Sequence, residues 1–333
     1  MKNDKCFIIA EIGGNFTNFL QAKKLIDLAK KAKVDAVKLQ SFKADTLASK
    51  IAMFDMKNTG KVSQYNLFKK YQISKELHSK IFKYCKIKKI ECFSSPSHPD
   101  DVDLLEKFNV NYHKIGSDDA INIPLLKYVA KTKKKIILST GMCSLNEIKN
   151  SVNFILKYNN KLSILHCVSD YPTDKKEINL NAILTLKKQF PKLKIGFSDH
   201  TIGPLASLCA VVLGAKIIEK HFTYDKRRDG PDHMLSLDFK EMKWLVDSIR
   251  SFEIMEGNGK KNPTKAEKSN SKNNRKSIVA IKHIKKGENF NLSNIGIKRP
   301  GSGIRPEHIY KILKRKSNTS ISYDNLVKWS DIK

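Results

Sequence analysis

The sequence predicts an α/β protein: a (β/α)8 TIM barrel, in which parallel strands are joined by crossover helices, followed by a small β-rich C-terminal module. Three observations carry this prediction. Eight short apolar runs of strand length alternate with eight amphipathic stretches of helical period. Most of the runs are apolar on both faces, as strands covered on both sides must be. Polar and ionisable residues recur where the runs end, the place where a barrel of this kind builds its active site. An open doubly wound sheet is the structural alternative.

In chain order the strand runs are Phe7–Gly13, Ala36–Phe42, Glu91–Ser97, Tyr112–Ser117, Lys135–Gly141, Leu162–Val168, Lys194–His200 and Ile217–Thr223. The helical stretches are Leu20–Ala32, Lys75–Lys86, Asp100–Phe108, Pro124–Ala130, Leu145–Leu156, Leu180–Gln189, Leu205–Leu213 and Asp238–Phe252. Ser144-Leu145-Asn146-Glu147 has the form of a capping box, and Ser74 is a good cap for the helix that follows it. Between the second and third runs, Lys43 to Ser74 is far longer than a βα connection needs, which predicts a lid over the barrel mouth. The barrel is expected over residues 1–257. The polar, basic and aperiodic residues 258–276 read as a linker, and residues 277–333 as a second module. That module has strand-like runs at Ser277–Lys282 and Asn289–Lys298 and a helical stretch at Pro306–Leu313; its size suggests that it leans on a partner surface.

With 40% apolar and 29% charged residues, the chain of 333 residues is a globular protein and not a disordered or collagen-like one. It has no apolar run long enough for a membrane helix and no secretory leader, so a cytoplasmic protein is expected. The six cysteines are far apart, without a CxxC pair, and read as reduced core residues. The net charge of +30 suggests a polyanion partner. Against this, residues 257–333 hold 19 Lys+Arg and 5 Asp+Glu, while the barrel lysines fall mostly on the polar faces of helices. No aromatic stacking stripe and no nucleic-acid-binding motif accompanies them, so specific nucleic-acid binding is not expected.

The residues at the strand ends carry the chemistry. His200 and His221 end neighbouring strands seven and eight, where two imidazoles can converge on one divalent metal with positions left open for water and substrate. His166, in an apolar run, reads as a hydrogen-bonded core residue. Lys38 and Lys114 sit within strands, and a buried ammonium needs an anion, so each is expected to face a carboxylate or an acidic substrate group. A Schiff-base role for either lysine is the rival reading.

Taken together, AEIGGN (10–15), VKLQSF (37–42), YHKIGSDDA (112–120), ILSTGM (137–142), LHCVSDYPT (165–173), GFSDHTIG (196–203), EKHFT (219–223) and GPDHMLS (230–236) resemble the sialic acid synthase family of N-acetylneuraminate, legionaminate and pseudaminate synthases. KSIVAIKHIKKGE (276–288), IKRPGSGI (297–304) and VKWSDI (327–332) resemble that family's antifreeze-like (SAF) domain. The resemblance implies condensation of phosphoenolpyruvate with an N-acetylated hexose, typically N-acetylmannosamine, to a nine-carbon 2-keto acid with release of phosphate. It implies Mn2+, or else Mg2+ or Co2+, on His200 and His221. It places phosphoenolpyruvate on Lys38, Gln40, Lys114, Ser117 and Ser198, the acidic residue of the first strand at Glu11, and the sugar beside Tyr171 and Asp232. Glu11, Lys114, His200 and His221 then form the catalytic group. The SAF domain is expected to lend Arg299 to the other subunit of a domain-swapped homodimer.

Three positions depart from the family pattern: Phe16 where a His is usual, Asp119 where a Glu is usual, and Ser169 where an Asn is usual. All three are expected to border the sugar, and Phe16 to favour a more apolar, deoxy acceptor. Outside the resemblance, a Schiff-base aldolase and a basic nucleic-acid-binding protein are the competing readings.

Overall fold

The computed structural model describes residues 5–57 and 59–333. The chain divides into two compact units, Met1–Gly257 and Asn258–Lys333.

The first unit is a closed parallel barrel. Its strands are β1 (Phe7–Glu11), β2 (Ala36–Ser41), β5 (Glu91–Pro96), β6 (Tyr112–Ile115), β7 (Lys135–Ser139), β8 (Leu162–Cys167), β9 (Lys194–Asp199) and β10 (Ile217–His221). They pair in that order, and β10 returns to β1, so no edge is left open and the doubly wound alternative falls. The helices between them are α1 (Phe19–Ala32), α4 (Lys75–Lys88), α5 (Pro99–Glu106), α6 (Ile123–Lys131), α7 (Leu145–Leu156), α8 (Ala182–Gln189) and α9 (Leu205–Val212), with α10 (Phe239–Met255) after the last strand. Their starts follow from local chemistry. Ser144 and Glu147 form the expected capping box, Ser74 accepts from the Leu77 N–H, and Asp238 and Glu241 cap α10 reciprocally.

Strand alternation sorts the apolar residues into two sets. Ile8, Ala10, Val37, Leu39, Leu138, Ile164, Phe197 and Ile218 point outward and pack under the helices. Ile9, Ala36, Phe93, Ile137, Leu165 and Ile217 point inward and fill the lower barrel. Gly196 belongs to that inner layer because a Cβ there would stand 2.4 Å from the Ile217 carbonyl oxygen and 2.6 Å from Leu165 Cδ2.

The long β2–α4 connection carries structure of its own: α2 (Ala44–Leu47), a hairpin of β3 (Met53–Met56) and β4 (Gly60–Ser63), and α3 (Gln64–Tyr71). All six cysteines are free and four are buried. Among the described residues no helix is long and apolar enough to cross a membrane.

In the second unit, β11 (Ser277–Ala280) pairs antiparallel with β12 (Ile295–Lys298). Ile278, Ala280, Ile284, Phe290, Ile295 and Ile312 form part of a core that belongs to this unit. The stretch expected as a strand from Asn289 is paired with β11 only from Ile295 onward; its first half is held by single bridges such as Phe290 N–H to the Arg315 carbonyl. Pro306–Leu313 forms a 3-10 turn and the one-turn α12 (Ile309–Ile312). Within the expected linker 258–276, Lys265–Asn274 is a helix, α11. Thr264 and Glu267 form a capping box that starts it, and none of its residues is buried, so it has no apolar stripe for periodicity to reveal.

Candidate active site

The alternation that buries Ile9 and Ile137 below brings polar side chains inward one layer higher. Glu11, Lys38, Gln40, Ser95, Lys114, Ser139, Cys167, Ser198, Glu219 and His221 stand two residues on from inner-layer positions or continue their register on neighbouring strands. Above them is a cavity of about 330 Å³ at the barrel mouth, lined among others by Lys38, Gln40, Lys114, Ser117, Asp119, Ser169, Tyr171, Ser198, His200, Glu219, His221 and Asp232.

Its floor is a buried quartet of two lysines and two glutamates. Lys38 Nζ is bridged to Glu11 Oε2, lies 3.8 Å from Glu219 Oε2, and donates to Ser95 Oγ at 3.1 Å. Lys114 Nζ lies 3.5 Å from Glu219 Oε1 and donates to Ser139 Oγ at 2.7 Å and to the Ile115 carbonyl at 3.2 Å. Ser198 Oγ donates to Glu219 Oε1 at 3.0 Å. Burial pulls Lys114 below the ordinary lysine range, and Glu219 opposes it only in part. For Lys38, burial is more than offset by Glu11 and Glu219, which hold its proton on. Burial pushes the Glu11 carboxyl up against the pull of Lys38, whereas Glu219 is held below its ordinary value because Lys114 and Lys38 outweigh its burial. The two carboxylates therefore differ: Glu219 is a fixed countercharge, and Glu11 is the one poised to take a proton.

Beside the floor stand the two histidines, with ring centroids 5.4 Å apart. Tyr171 stacks on His200 at 4.1 Å and meets His221 edge-on at 6.0 Å. His200 Nδ1 bonds to the Val168 carbonyl at 2.7 Å, which fixes the proton there and leaves Nε2 with a free lone pair. His221 Nδ1 is buried without a hydrogen-bond partner, and Asp232 Oδ2 is 3.5 Å away. Burial, then the positive charges around it, hold His221 well below the usual histidine range, so its imidazole is neutral. Burial, with Glu11 nearby, pushes Asp232 up to about 7. For His200 burial is outweighed by Cys167 and the Val168 carbonyl, which raise its pKa, so a divalent ion there would take the place of a proton; His200 Nε2 and the unpartnered His221 Nδ1 are the nitrogens that would hold it. Among the described residues no set of three or more His, Cys, Asp or Glu groups is arranged to hold a metal, so its other positions would fall to water and substrate.

At the rim, Ser117 Oγ accepts from the Gly141 N–H at 2.9 Å, and Ser169 Oγ crowds the same glycine. Asp119 accepts from Asn122 Nδ2 at 2.7 Å, and burial pushes it up to about 6. Glu11 lies beneath the lining, gripping Lys38. Arg299 belongs to the second unit, directly after β12. Phe16 is 3% exposed and packs in the core; it is not among the residues lining the mouth but borders a second cavity with Asn15, Tyr71, Arg228 and His233. His166 is the expected core residue, bonded to the Ile178 carbonyl at 2.8 Å.

Three groups were missed. Glu219 stands in the expected polar ring but was given no role; its position two residues before His221 on one strand is the signal for it. Cys167 Sγ is 3.8 Å from His200 Nδ1, a contact that its reading as a plain core cysteine hid. The apolar lid residues Leu47, Phe54, Leu67 and Phe68 also line the cavity, and no sequence period marked them.

Fold and mouth together define a barrel protein whose pocket has a floor of paired lysines and glutamates and a wall of two imidazoles. The chain belongs to the NeuB family, whose profile matches residues 25–261; residues 275–333 match the SAF domain. It is 41% identical to the N,N'-diacetyllegionaminic acid synthase of Campylobacter jejuni (serotype O:2) over 97% of this chain and 99% of the relative. It is 37% identical to a pseudaminic acid synthase of C. jejuni (serotype O:23/36) over 99% and 97%. The crystal structure of N-acetylneuraminic acid synthetase from Leptospira borgpetersenii in complex with citrate shares 33% identity and superposes with a TM-score of 0.72, covering 80% of this chain and 90% of that one. The named relatives are synthases.

Proposed function

We propose that this protein condenses phosphoenolpyruvate with an N-acetylated hexose, N-acetylmannosamine or a related acetamido-deoxy sugar, to a nine-carbon 2-keto acid, with release of phosphate. The observation that carries the proposal is the buried Lys38–Glu11 and Lys114–Glu219 arrangement opening onto one cavity with His200 and His221. Lys38 and Lys114 bind the phosphate and carboxylate of the trianion, with Gln40, Ser117 and Ser198 completing its hydrogen bonds. Ser95 and Ser139 orient the two ammonium groups. Tyr171 and Asp232 hold the sugar so that its aldehyde carbon meets the enol carbon of phosphoenolpyruvate, with Asp119 and Ser169 at the outer end of the acceptor. His200 and His221 would hold a divalent ion, Mn2+ with Mg2+ or Co2+ as alternatives, which would supply Lewis-acid polarisation of the aldehyde oxygen.

The carbon–carbon bond forms and leaves the aldehyde oxygen as an alkoxide; water adds to the former enol carbon, its proton passing by way of Glu11 to that alkoxide, and cleavage of the bond from that carbon to the phosphate oxygen gives the ketone and releases inorganic phosphate, which takes up the hydroxyl proton. When the substrate phosphate draws Lys38 away, Glu11 is left buried with a raised pKa and takes the proton that the attacking water gives up. Arg299 of a second subunit is assigned to the sugar side of the pocket in a domain-swapped homodimer. In a phosphate-release assay, turnover should require phosphoenolpyruvate, an acetamido-hexose and a divalent ion together, and His200→Ala should abolish it. Turnover retained by that variant, or by metal-free enzyme, would refute the assignment. The lowered pKa of Lys114 favours one second reading, an imine-forming lysine. Borohydride trapping of a keto acid on the chain would select it.

A further inference from the structure

The ladder between β9 and β10 stops one rung short of the two histidines. Its pairs are Ile218 with Phe197, Glu219 with Ser198 and, last, Lys220 with Asp199. Glu219 and His221 face the cavity, so alternation turns Lys220 the other way, into the apolar layer that Phe197 and Ile218 share beneath the helices. Both members of the last pair are fully buried there.

For packing alone an apolar pair would serve at least as well, because the desolvation of two buried charges offsets much of their attraction. The geometry gives this pair another role. Asp199 Oδ1 accepts from the Thr201 N–H at 2.8 Å and from Thr201 Oγ1 at 2.8 Å, and Oδ2 accepts from Ser207 Oγ at 2.6 Å. Lys220 Nζ lies 3.2 Å from Asp199 Oδ1 and donates to the Thr201 carbonyl. Asp199 and Thr201 flank His200, and Lys220 precedes His221. The network thus closes around His200 and ties it to the strand that carries His221, at the level where the backbone ladder no longer does so.

The other ties of the two histidines run elsewhere. His200 is held from the β8 side, by the Val168 carbonyl at Nδ1 and by the Thr173 N–H, which donates to the His200 carbonyl at 3.0 Å. His221 is paired with Glu11 of β1, and its carbonyl accepts from the Leu237 N–H at 2.8 Å. Neither set of ties crosses from one histidine to the other. We infer that Lys220, through Asp199 and Thr201, is a positioning residue that sets the separation of the His200 and His221 imidazoles, 5.4 Å between ring centroids, at which they would share a divalent ion. The inference rests on the divalent ion proposed above. Lys220 and Asp199 do not line the cavity, so they act only through the histidines.

The test uses the full-length protein with Mn2+ alone, followed by the paramagnetic resonance of the free ion. The wild type should bind one Mn2+ per chain, and His200→Ala should lose it. The double variant Asp199→Asn, Lys220→Met removes both charges, so neither stays buried without its partner, and the new amide keeps an oxygen for the Thr201 N–H. It should melt close to the wild type yet bind Mn2+ roughly tenfold to a hundredfold more weakly, the loss that follows when the outer support of a metal ligand is removed. Phosphoenolpyruvate added without metal should raise its melting temperature as much as that of the wild type, because Lys38 and Lys114 are untouched. Lys220→Arg, which puts a charged donor back opposite Asp199, should regain part of the Mn2+ affinity. A double variant that binds Mn2+ as tightly as the wild type overturns the inference. So does one that does not fold, or that loses phosphoenolpyruvate binding in the same proportion, since the pair would then serve the scaffold alone. Wild-type Mn2+ binding that His200→Ala leaves unchanged overturns the metal assignment itself, and that result is read without the other variants.

Discussion

Replacing Glu219 by Gln removes one negative charge from the quartet at almost constant shape. Glu219 lies 3.5 Å from Lys114 and 3.8 Å from Lys38, and its carboxylate is buried. At an effective dielectric of about 20, each such pair is worth about 4 kcal/mol of Coulomb attraction, most of it offset by the desolvation of the carboxylate. Removing one partner of a buried pair typically costs about 3 kcal/mol, because the other charge stays buried. For a barrel of this size that is a fall in melting temperature of roughly 6–12 °C. The same substitution leaves two ammonium groups facing one carboxylate, so an anion should bind the variant more tightly than the wild type and return most of the lost stability. The assay is thermal denaturation at low salt, with and without saturating phosphoenolpyruvate. The reasoning fails if Glu219→Gln melts with the wild type, or if phosphoenolpyruvate raises the melting temperature of the variant less than that of the wild type.

Two further predictions concern the scaffold. Asp101 is buried, one of its oxygens lacks a partner, and burial pushes its carboxyl up to about 6, so the folded state holds a proton that the unfolded state has released. Its contribution to stability therefore falls as pH rises from about 4 to about 6 and stays low above that. Asp101→Asn should melt higher than the wild type at pH 7.5 and lose that advantage near pH 4; the same difference at both values would refute the assignment. Gly196→Ala places a methyl group 2.4 Å from the Ile217 carbonyl oxygen inside the barrel, and should cost about 1–3 kcal/mol by denaturant titration. A neutral result would mean that the inner layer has room to yield.

The barrel was legible because its signals are local. Strand runs of the right length, capping at Ser74 and Ser144, and the spacing between them place each element within a few residues of where it lies. The direction of individual side chains was less legible, because it depends on strand parity. Ser94 and Ser95 are neighbours in one polar ring on paper, yet Ser94 bonds outward to Ser41 Oγ at 2.6 Å and Ser95 accepts from Lys38 inside. Asp199 likewise turns away from the mouth to pair with Lys220 at 3.2 Å and to accept from Ser207 at 2.6 Å, although it stands next to His200. The length of the Lys43–Ser74 segment marks the lid, but the facing of its apolar side chains, like that of Phe16, depends on neighbours distant in sequence, so no window of residues shows which of them meets the core and which the cavity. Helix α11 escaped because it buries nothing, and only its Thr264–Glu267 box announced it.

The quartet also bears on which anions the pocket admits. With both bridges made, the two lysines and two glutamates sum to no net charge, so the resting cavity exerts little pull on a simple monoanion despite a chain carrying +30 overall. Lys38 lines the mouth while Glu11 lies beneath the lining, where burial pushes its carboxyl up against the pull of Lys38. A ligand that competes with both glutamates therefore needs enough charge to meet both lysines at once. A trianion with a phosphate at one end and a carboxylate at the other meets that requirement, and chloride does not. On the proposed reaction, the charge balance that lets four ionisable groups stay buried in the barrel is the one its substrate would have to meet.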